Sequence, residues 1–131
     1  MKSNTIPRRA FIRNTSAALA LAALKPYGSL ISTDSPRRVA LIGTGWYGKN
    51  DLFRLMQVAP VDVVALCDVD QHLLSEAAVL VKTRLKSNKQ IQLYTDHRKL
   101  LADHKPEIVL IGTPDHWHAP QTIDAIRAGS H

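Results

Sequence analysis

The chain has 131 residues and a single cysteine, Cys67. One cysteine excludes an intramolecular disulfide and a zinc ribbon. Its place inside the apolar run VDVVALCDV predicts a buried core thiol rather than a nucleophile. Aromatic residues are scarce, at 5%, and no motif that reads DNA or RNA is present, so the sequence is not that of a nucleic-acid binder. No apolar run is long enough to cross a bilayer; the richest, Ala17 to Leu24, is far too short. Metal ligands are sparse as well. His116 and His118 supply two, and nothing nearby offers a third, so no metal site is expected.

The net charge of +6 is unevenly placed. Residues 1–38 hold seven of the 17 basic side chains (Lys2, Arg8, Arg9, Arg13, Lys25, Arg37 and Arg38) and one of the 11 acids, Asp34. The rest of the chain is neutral on balance, so its charge does not point to a polyanionic partner. The front of the chain reads instead as an address. Arg8, Arg9, Ala10 and Phe11, followed by Arg13 and a short Ala/Leu stretch, resemble a twin-arginine export signal. An amphipathic N-terminal helix is the alternative reading. Residues 1–24 are therefore expected to be a signal peptide that engages the twin-arginine machinery and carries the protein to the periplasm or beyond a bacterial inner membrane. Residues 25–38, rich in Pro, Gly and Ser, read as a linker.

From Val39 onward short apolar runs alternate with amphipathic segments. VALIG (39–43), VDVVALCDV (61–69), IQLY (91–94) and EIVLIGTP (107–114) read as strands. Between them, Leu52, Leu55, Met56 and Ala59 share one helix face, and Leu74, Ala78, Val81 and Leu85 another. Asp70 is placed to cap the second helix, and Thr95 or Asp96 a third carrying Leu100 and Leu101. A fourth helix is expected from about Ala119 to Ala128, with Pro120 in its first turn and Gly129 at its end. Alternating strands and helices in this order predict an α/β fold over residues 39–131, a doubly wound parallel sheet of about four strands, Rossmann-like and incomplete.

The first strand runs into GTGWYG, a G-x-G-x-x-G loop at Gly43, Gly45 and Gly48, with Thr44, Trp46 and Tyr47 as its other members. In such a loop the first glycine permits a tight turn, the second lets backbone approach a pyrophosphate, and the third lets helix and strand pack closely. The following helix start offers free N–H groups and the positive end of its dipole. Asp68 ends the second strand 20 residues after Gly48, where an acid can accept hydrogen bonds from ribose hydroxyls and repel a 2′-phosphate. The alternative is that Asp68 only closes the strand end, as Asp70 is expected to cap a helix. The pattern favours NAD over NADP.

VALIGTGWYG, ALCDVD, YTDHRKLL and IVLIGTPDHWHAPQTIDAIRAG together resemble the N-terminal domain of the Gfo/Idh/MocA family of oxidoreductases. The resemblance implies a nicotinamide dinucleotide held by Gly43, Thr44, Gly45, Trp46, Tyr47 and Gly48, with Asp68 on the ribose. It further implies that Thr113, Pro114, Asp115 and His118 line the cofactor cleft. Asp115 stands where many members have Asn. His116 reads as a solvent-side loop residue, and Trp117 either as a stacking surface for a ligand or as a satellite core contact.

The implied activity is hydride transfer between a sugar or polyol and the nicotinamide. The family's Glu-Lys-Pro motif, its substrate domain and the surfaces that would form a homo-oligomer are not found in these residues, and no catalytic residue is assigned. The expectation is an NAD-binding portion inactive by itself, with β-strand four as an exposed apolar edge. Alternatives are a glycosidase-type relative that uses NAD for transient oxidation, and a non-catalytic nucleotide-binding module.

Overall fold

The computed structural model describes residues 35–86 and 89–131. The expected signal peptide and most of the expected linker lie outside the described residues. Four strands alternate with four helices: β1 (Arg37–Ile42), α1 (Trp46–Val58), β2 (Val61–Cys67), α2 (Gln71–Leu85), β3 (Gln92–Tyr94), α3 (His97–His104), β4 (Ile108–Ile111) and α4 (Asp115–Arg127). The sheet is parallel throughout, in the order β3-β2-β1-β4. The direction of winding therefore reverses between β1 and β4, and ligands of open α/β sheets bind at the carboxyl ends of the strands at such a reversal.

The central strand distributes its side chains to both faces. Val39 and Leu41 pack with Leu52 and Phe53 of α1 and with Leu74, Ala77 and Val81 of α2. Ala40 and Ile42 pack on the opposite face with Leu100 and Leu101 of α3 and Ala125 of α4. Both faces being covered explains the unbroken apolar character of β1 and β2. Leu41, Leu52, Leu66 and Leu100 are fully buried, and each contributes about 1.5–3 kcal/mol of transfer free energy.

One irregularity sets the faces of β2. Val39 pairs with Val63 while Ala40 pairs with Ala65, so Val64 is an extra residue, a bulge. Val63 and Leu66 consequently serve one core cluster, and Ala65 and Cys67 the other.

Three expected boundaries move. The linker ends before Arg37, because Arg37 and Arg38 enter β1. The Arg37 guanidinium bonds Glu107 Oε1 at 2.6 Å, and the Arg38 N–H donates to Glu107 Oε2 at 3.0 Å. Those contacts, led by the Arg38 N–H, hold the Glu107 carboxyl below its ordinary range. Helix α1 begins at Trp46, inside the glycine loop, with Gly45 as its N-cap. Helix α4 begins at Asp115, four residues earlier than the proline suggested, so Pro120 lies inside it. Pro120 removes one hydrogen bond to the His116 carbonyl, but His116 is exposed and water can replace it.

Strand β4 is the edge, and all four of its residues are half-buried. It is less bare than expected. The His131 N–H donates to the Glu107 carbonyl at 2.9 Å, and the Val109 N–H donates to the His131 carbonyl at 2.8 Å, one rung of parallel pairing beyond β4. The Ser130 hydroxyl donates to the Pro106 carbonyl at 2.7 Å and fixes the approach. Among the described residues, no helix is long and apolar enough to cross a membrane.

Candidate functional site

The carboxyl ends of all four strands open into one cleft of about 570 Å³. Ile42 and Gly43 enter it after β1, Cys67 to Val69 after β2, Thr95 to Arg98 after β3, and Gly112 to Pro114 after β4. Leu73 of α2 and Trp117 and Gln121 of α4 complete its wall.

Beneath the cleft three glycines meet. Gly43 has φ +91°, a left-handed conformation that side chains rarely adopt, and a Cβ there would lie 2.6 Å from the Gly112 carbonyl carbon. A Cβ on Gly112 would lie 2.6 Å from the Gly48 Cα, and one on Gly48 would strike the Gly43 carbonyl oxygen. All of these neighbours are backbone, so α1 reaches the sheet only because no side chain intervenes. Gly112 was not singled out from the sequence. It stands outside the G-x-G-x-x-G spacing, and its partnership with Gly48 exists only once β1 and β4 are neighbours.

Gly45 is the contrast. It lines the cleft, and a Cβ placed on it would meet nothing within 4 Å. As the N-cap of α1 it offers no capping side chain, and no acid stands in the helix's first turn. The first three N–H groups of α1, from Trp46, Tyr47 and Gly48, therefore have neither an intrahelical partner nor a capping side chain. Open space beside a glycine and uncapped N–H groups at a positive helix end fit a phosphate of an anionic ligand. The Trp46 and Tyr47 side chains are exposed on the first turn of α1 rather than on a loop tip, and they do not line the cleft. Gly48 is buried in the packing.

Asp68 is tied into the loop it faces. Its Oδ2 accepts the Thr44 N–H at 2.6 Å and the Thr44 hydroxyl at 2.9 Å, and its Oδ1 accepts the Asp70 N–H at 3.0 Å. Thr44 is thereby fully buried, giving its polar groups to Asp68 rather than to the cleft. A carboxylate has about four lone-pair directions, so Asp68 keeps capacity for a further donor from the cleft side. Asp70 caps α2 by accepting the His72 and Leu73 N–H groups, and Asp96 caps α3 by accepting that of Arg98.

The turn from β4 to α4 is pinned by its own helix. The Thr113 hydroxyl donates to Gln121 Oε1 at 2.6 Å, and His118 Nε2 lies 2.6 Å from the Thr113 carbonyl. A carbonyl only accepts, so Nε2 carries the proton. Thr113 and Pro114 form cleft wall, while His118 is not among the lining residues and holds that wall through Thr113, and Asp115 stays exposed at the helix start. His116 is on the first turn of α4, exposed, and not in a loop. Trp117, whose role the sequence left open, lines the cleft and is 46% exposed.

Cys67 lies on the cleft floor but is inert. Burial, reinforced by Asp68 and Asp96, pushes its thiol up to about 12, so the thiolate is scarce at neutral pH. Among the described residues, no group of three or more His, Cys, Asp or Glu side chains is placed to hold a metal ion.

Comparison with known proteins agrees with this geometry. A family model described as an oxidoreductase family with an NAD-binding Rossmann fold, Gfo/Idh/MocA, matches residues 37–131. A glycosyl hydrolase family 109 protein of Stenotrophomonas maltophilia is 36% identical over 126 residues, covering 93% of this chain and 28% of that protein. The crystal structure of myo-inositol 2-dehydrogenase from Lactobacillus plantarum is 26% identical with a TM-score of 0.60, over 74% of this chain and 27% of that one. The WlbA dehydrogenase of Chromobacterium violaceum, solved with NADH and UDP-GlcNAcA, is 27% identical with a TM-score of 0.59, over 76% of this chain and 27% of that one. The chain thus spans little more than a quarter of the length of each.

Proposed function

Since the chain belongs to the Gfo/Idh/MocA oxidoreductase family and forms its NAD-binding Rossmann domain, we propose that it holds NAD for hydride transfer to or from a carbon of a sugar or polyol. The observation that carries this reading is the pairing of an open position at Gly45 with the acid Asp68, which is fixed to the neighbouring Thr44 and lines the same cleft. Bound NAD would supply the hydride acceptor. The uncapped start of α1 would take the pyrophosphate, Gly45 would let backbone come close to it, and Asp68 would accept from the adenosine ribose. Thr113 and Pro114, held by Gln121 and His118, would form the wall beyond the pyrophosphate. We assign no catalytic acid or base to the described residues. The substrate class rests on the dehydrogenases of similar fold, one named for an inositol and one solved with a nucleotide sugar.

A second reading is favoured by the relative of 36% identity, which is named a glycosyl hydrolase. In that reading the sugar is oxidised only transiently and the net reaction is cleavage of a glycoside. By themselves the described residues should bind NAD without turnover, because they carry no assigned acid or base. The two readings are separated by joining them to a substrate domain of the family and incubating that protein and NAD with inositols and hexoses, and in parallel with a chromogenic aryl glycoside. Reduced NAD accumulating with a polyol or sugar is the expected result. Release of the aglycone without net reduction of NAD would favour the hydrolase, and neither signal in a joined protein that binds NAD would leave a binding module and contradict both.

Export by the twin-arginine route belongs to the same proposal. Its support is the Arg8-Arg9-Ala10-Phe11 pattern and a physical consideration: NAD binds only folded protein, and this route carries folded proteins.

A further inference from the structure

The cleft carries opposite charges where the ends of β2 and β3 open into it. Asp68 lines it from the end of β2, and Arg98 lines it from the first turn of α3. An acid in this place favours the free ribose hydroxyls of NAD, whereas an arginine near it is the side chain that accommodates the 2′-phosphate of NADP. The two signals conflict unless the arginine is engaged elsewhere. It is engaged: Arg98 Nε donates to Asp124 Oδ2 at 3.0 Å, and His97 Nε2 donates to the same oxygen at 3.0 Å. Asp124 stands on α4 and does not itself line the cleft. The His97 side chain is 11% exposed and that of Arg98 68%, so His97 is the buried anchor of the group and Arg98 its solvated member. These bonds, His97's first, hold the Asp124 carboxyl below the usual carboxylate range, which keeps it charged toward Arg98.

We propose that Asp124 is a specificity-determining positioning residue, which secures the preference for NAD by holding Arg98 away from the place a 2′-phosphate would occupy. The proposal rests on the NAD-binding reading above and adds a second device to the repulsion by Asp68. Sequence spacing gives no hint of it, since Arg98 and Asp124 lie on different helices and meet only because α3 and α4 cover the same face of the sheet.

The test is the ratio of NADP to NAD affinity, measured by calorimetric titration of the full chain. Asp124→Asn should shift that ratio toward NADP by about three- to tenfold, the range of one charge-assisted contact to phosphate at a solvated site. The shift should vanish in Asp124→Asn/Arg98→Ala, and Asp124→Glu should keep the parent's ratio. An unchanged ratio in folded Asp124→Asn overturns the proposal, as does a shift that persists without Arg98. Arg98→Ala alone makes a test that needs no change at Asp124: NADP binding as weak as the parent's is expected, and a clear further loss would mean that Arg98 already serves the phosphate. A folded parent that binds no NAD overturns the cofactor reading itself, an outcome distinct from any of these.

Discussion

Gly112→Ala is expected to cost the domain about 3 kcal/mol, the upper end of the usual overpacking range, which for a protein of this size is a large part of its stability. The added methyl would sit 2.6 Å from the Gly48 Cα and 3.0 Å from the Gly48 nitrogen, with the Gly43 carbonyl oxygen at 3.1 Å. None of these atoms belongs to a side chain that can rotate away. Relief requires α1 to lift from β4, and α1 carries Leu52 and Phe53 into the core with Val39 and Leu41. Overpacking against a flexible side chain is usually modest; overpacking against backbone at the crossing of two elements moves the elements. The loss would appear as a lower denaturant midpoint, and an unchanged midpoint would mean that the three glycines are less tightly joined than their geometry states.

Asp68→Asn should harm both the fold and the choice of cofactor. In the native site each carboxylate oxygen accepts a backbone N–H, from Thr44 on one side and Asp70 on the other. An amide has only one oxygen. The asparagine can turn its oxygen to the buried Thr44 N–H and its NH₂ to the exposed Asp70 N–H, which water can then serve, so the lost bond should cost about 0.5–1.5 kcal/mol. Because those donors set the glycine loop and the start of α2, NAD binding should weaken about tenfold, and the loss of charge should narrow the margin over NADP. Unfolding curves combined with titration of both cofactors separate the two effects. A variant as stable as the parent would show that the loop bonds contribute little, and unchanged NAD affinity would return Asp68 to closing a strand end.

The order of elements and the two core faces were legible from the spacing of apolar residues, because β1 and β2 are covered on both sides and α2 and α3 are capped by acids at their starts. The starts of α1 and α4 were not. Glycines and aromatics in GTGWYG read as a loop, yet the helix needs only the last of them for packing. In α4 the proline suggested a first turn, while the chain begins helix at Asp115, with the Trp117 N–H bonding the Pro114 carbonyl at 2.9 Å. Arg37 and Arg38 looked like linker because their reason for joining β1, Glu107, lies 70 and 69 residues away.

The site divided in the same manner. Gly43, Gly45 and Asp68, singled out by spacing, and Thr113 and Pro114, implied by the family resemblance, all line the cleft. Thr44, Gly48 and His118 proved to support that wall from behind it, through bonds and contacts between residues that no local pattern connects. Gly112 and Gln121 had no local signal at all, and Arg98 none that tied it to the cleft.

The space beside Gly45 is open, and a dinucleotide phosphate is what would fill it. Calorimetric titration of NAD into the parent chain and into Gly45→Val, side by side, decides whether it does. Nothing lies within 4 Å of a Cβ placed on Gly45, so the valine variant should fold, its stability lower by no more than the roughly 1 kcal/mol that valine costs at a helix N-cap. Saturable heat with NAD is expected for the parent and a loss of at least about tenfold in affinity for the variant, as where a side chain fills a phosphate approach. A folded parent that gives no heat with NAD, or a valine variant that binds as the parent does, would contradict that role for the space beside Gly45.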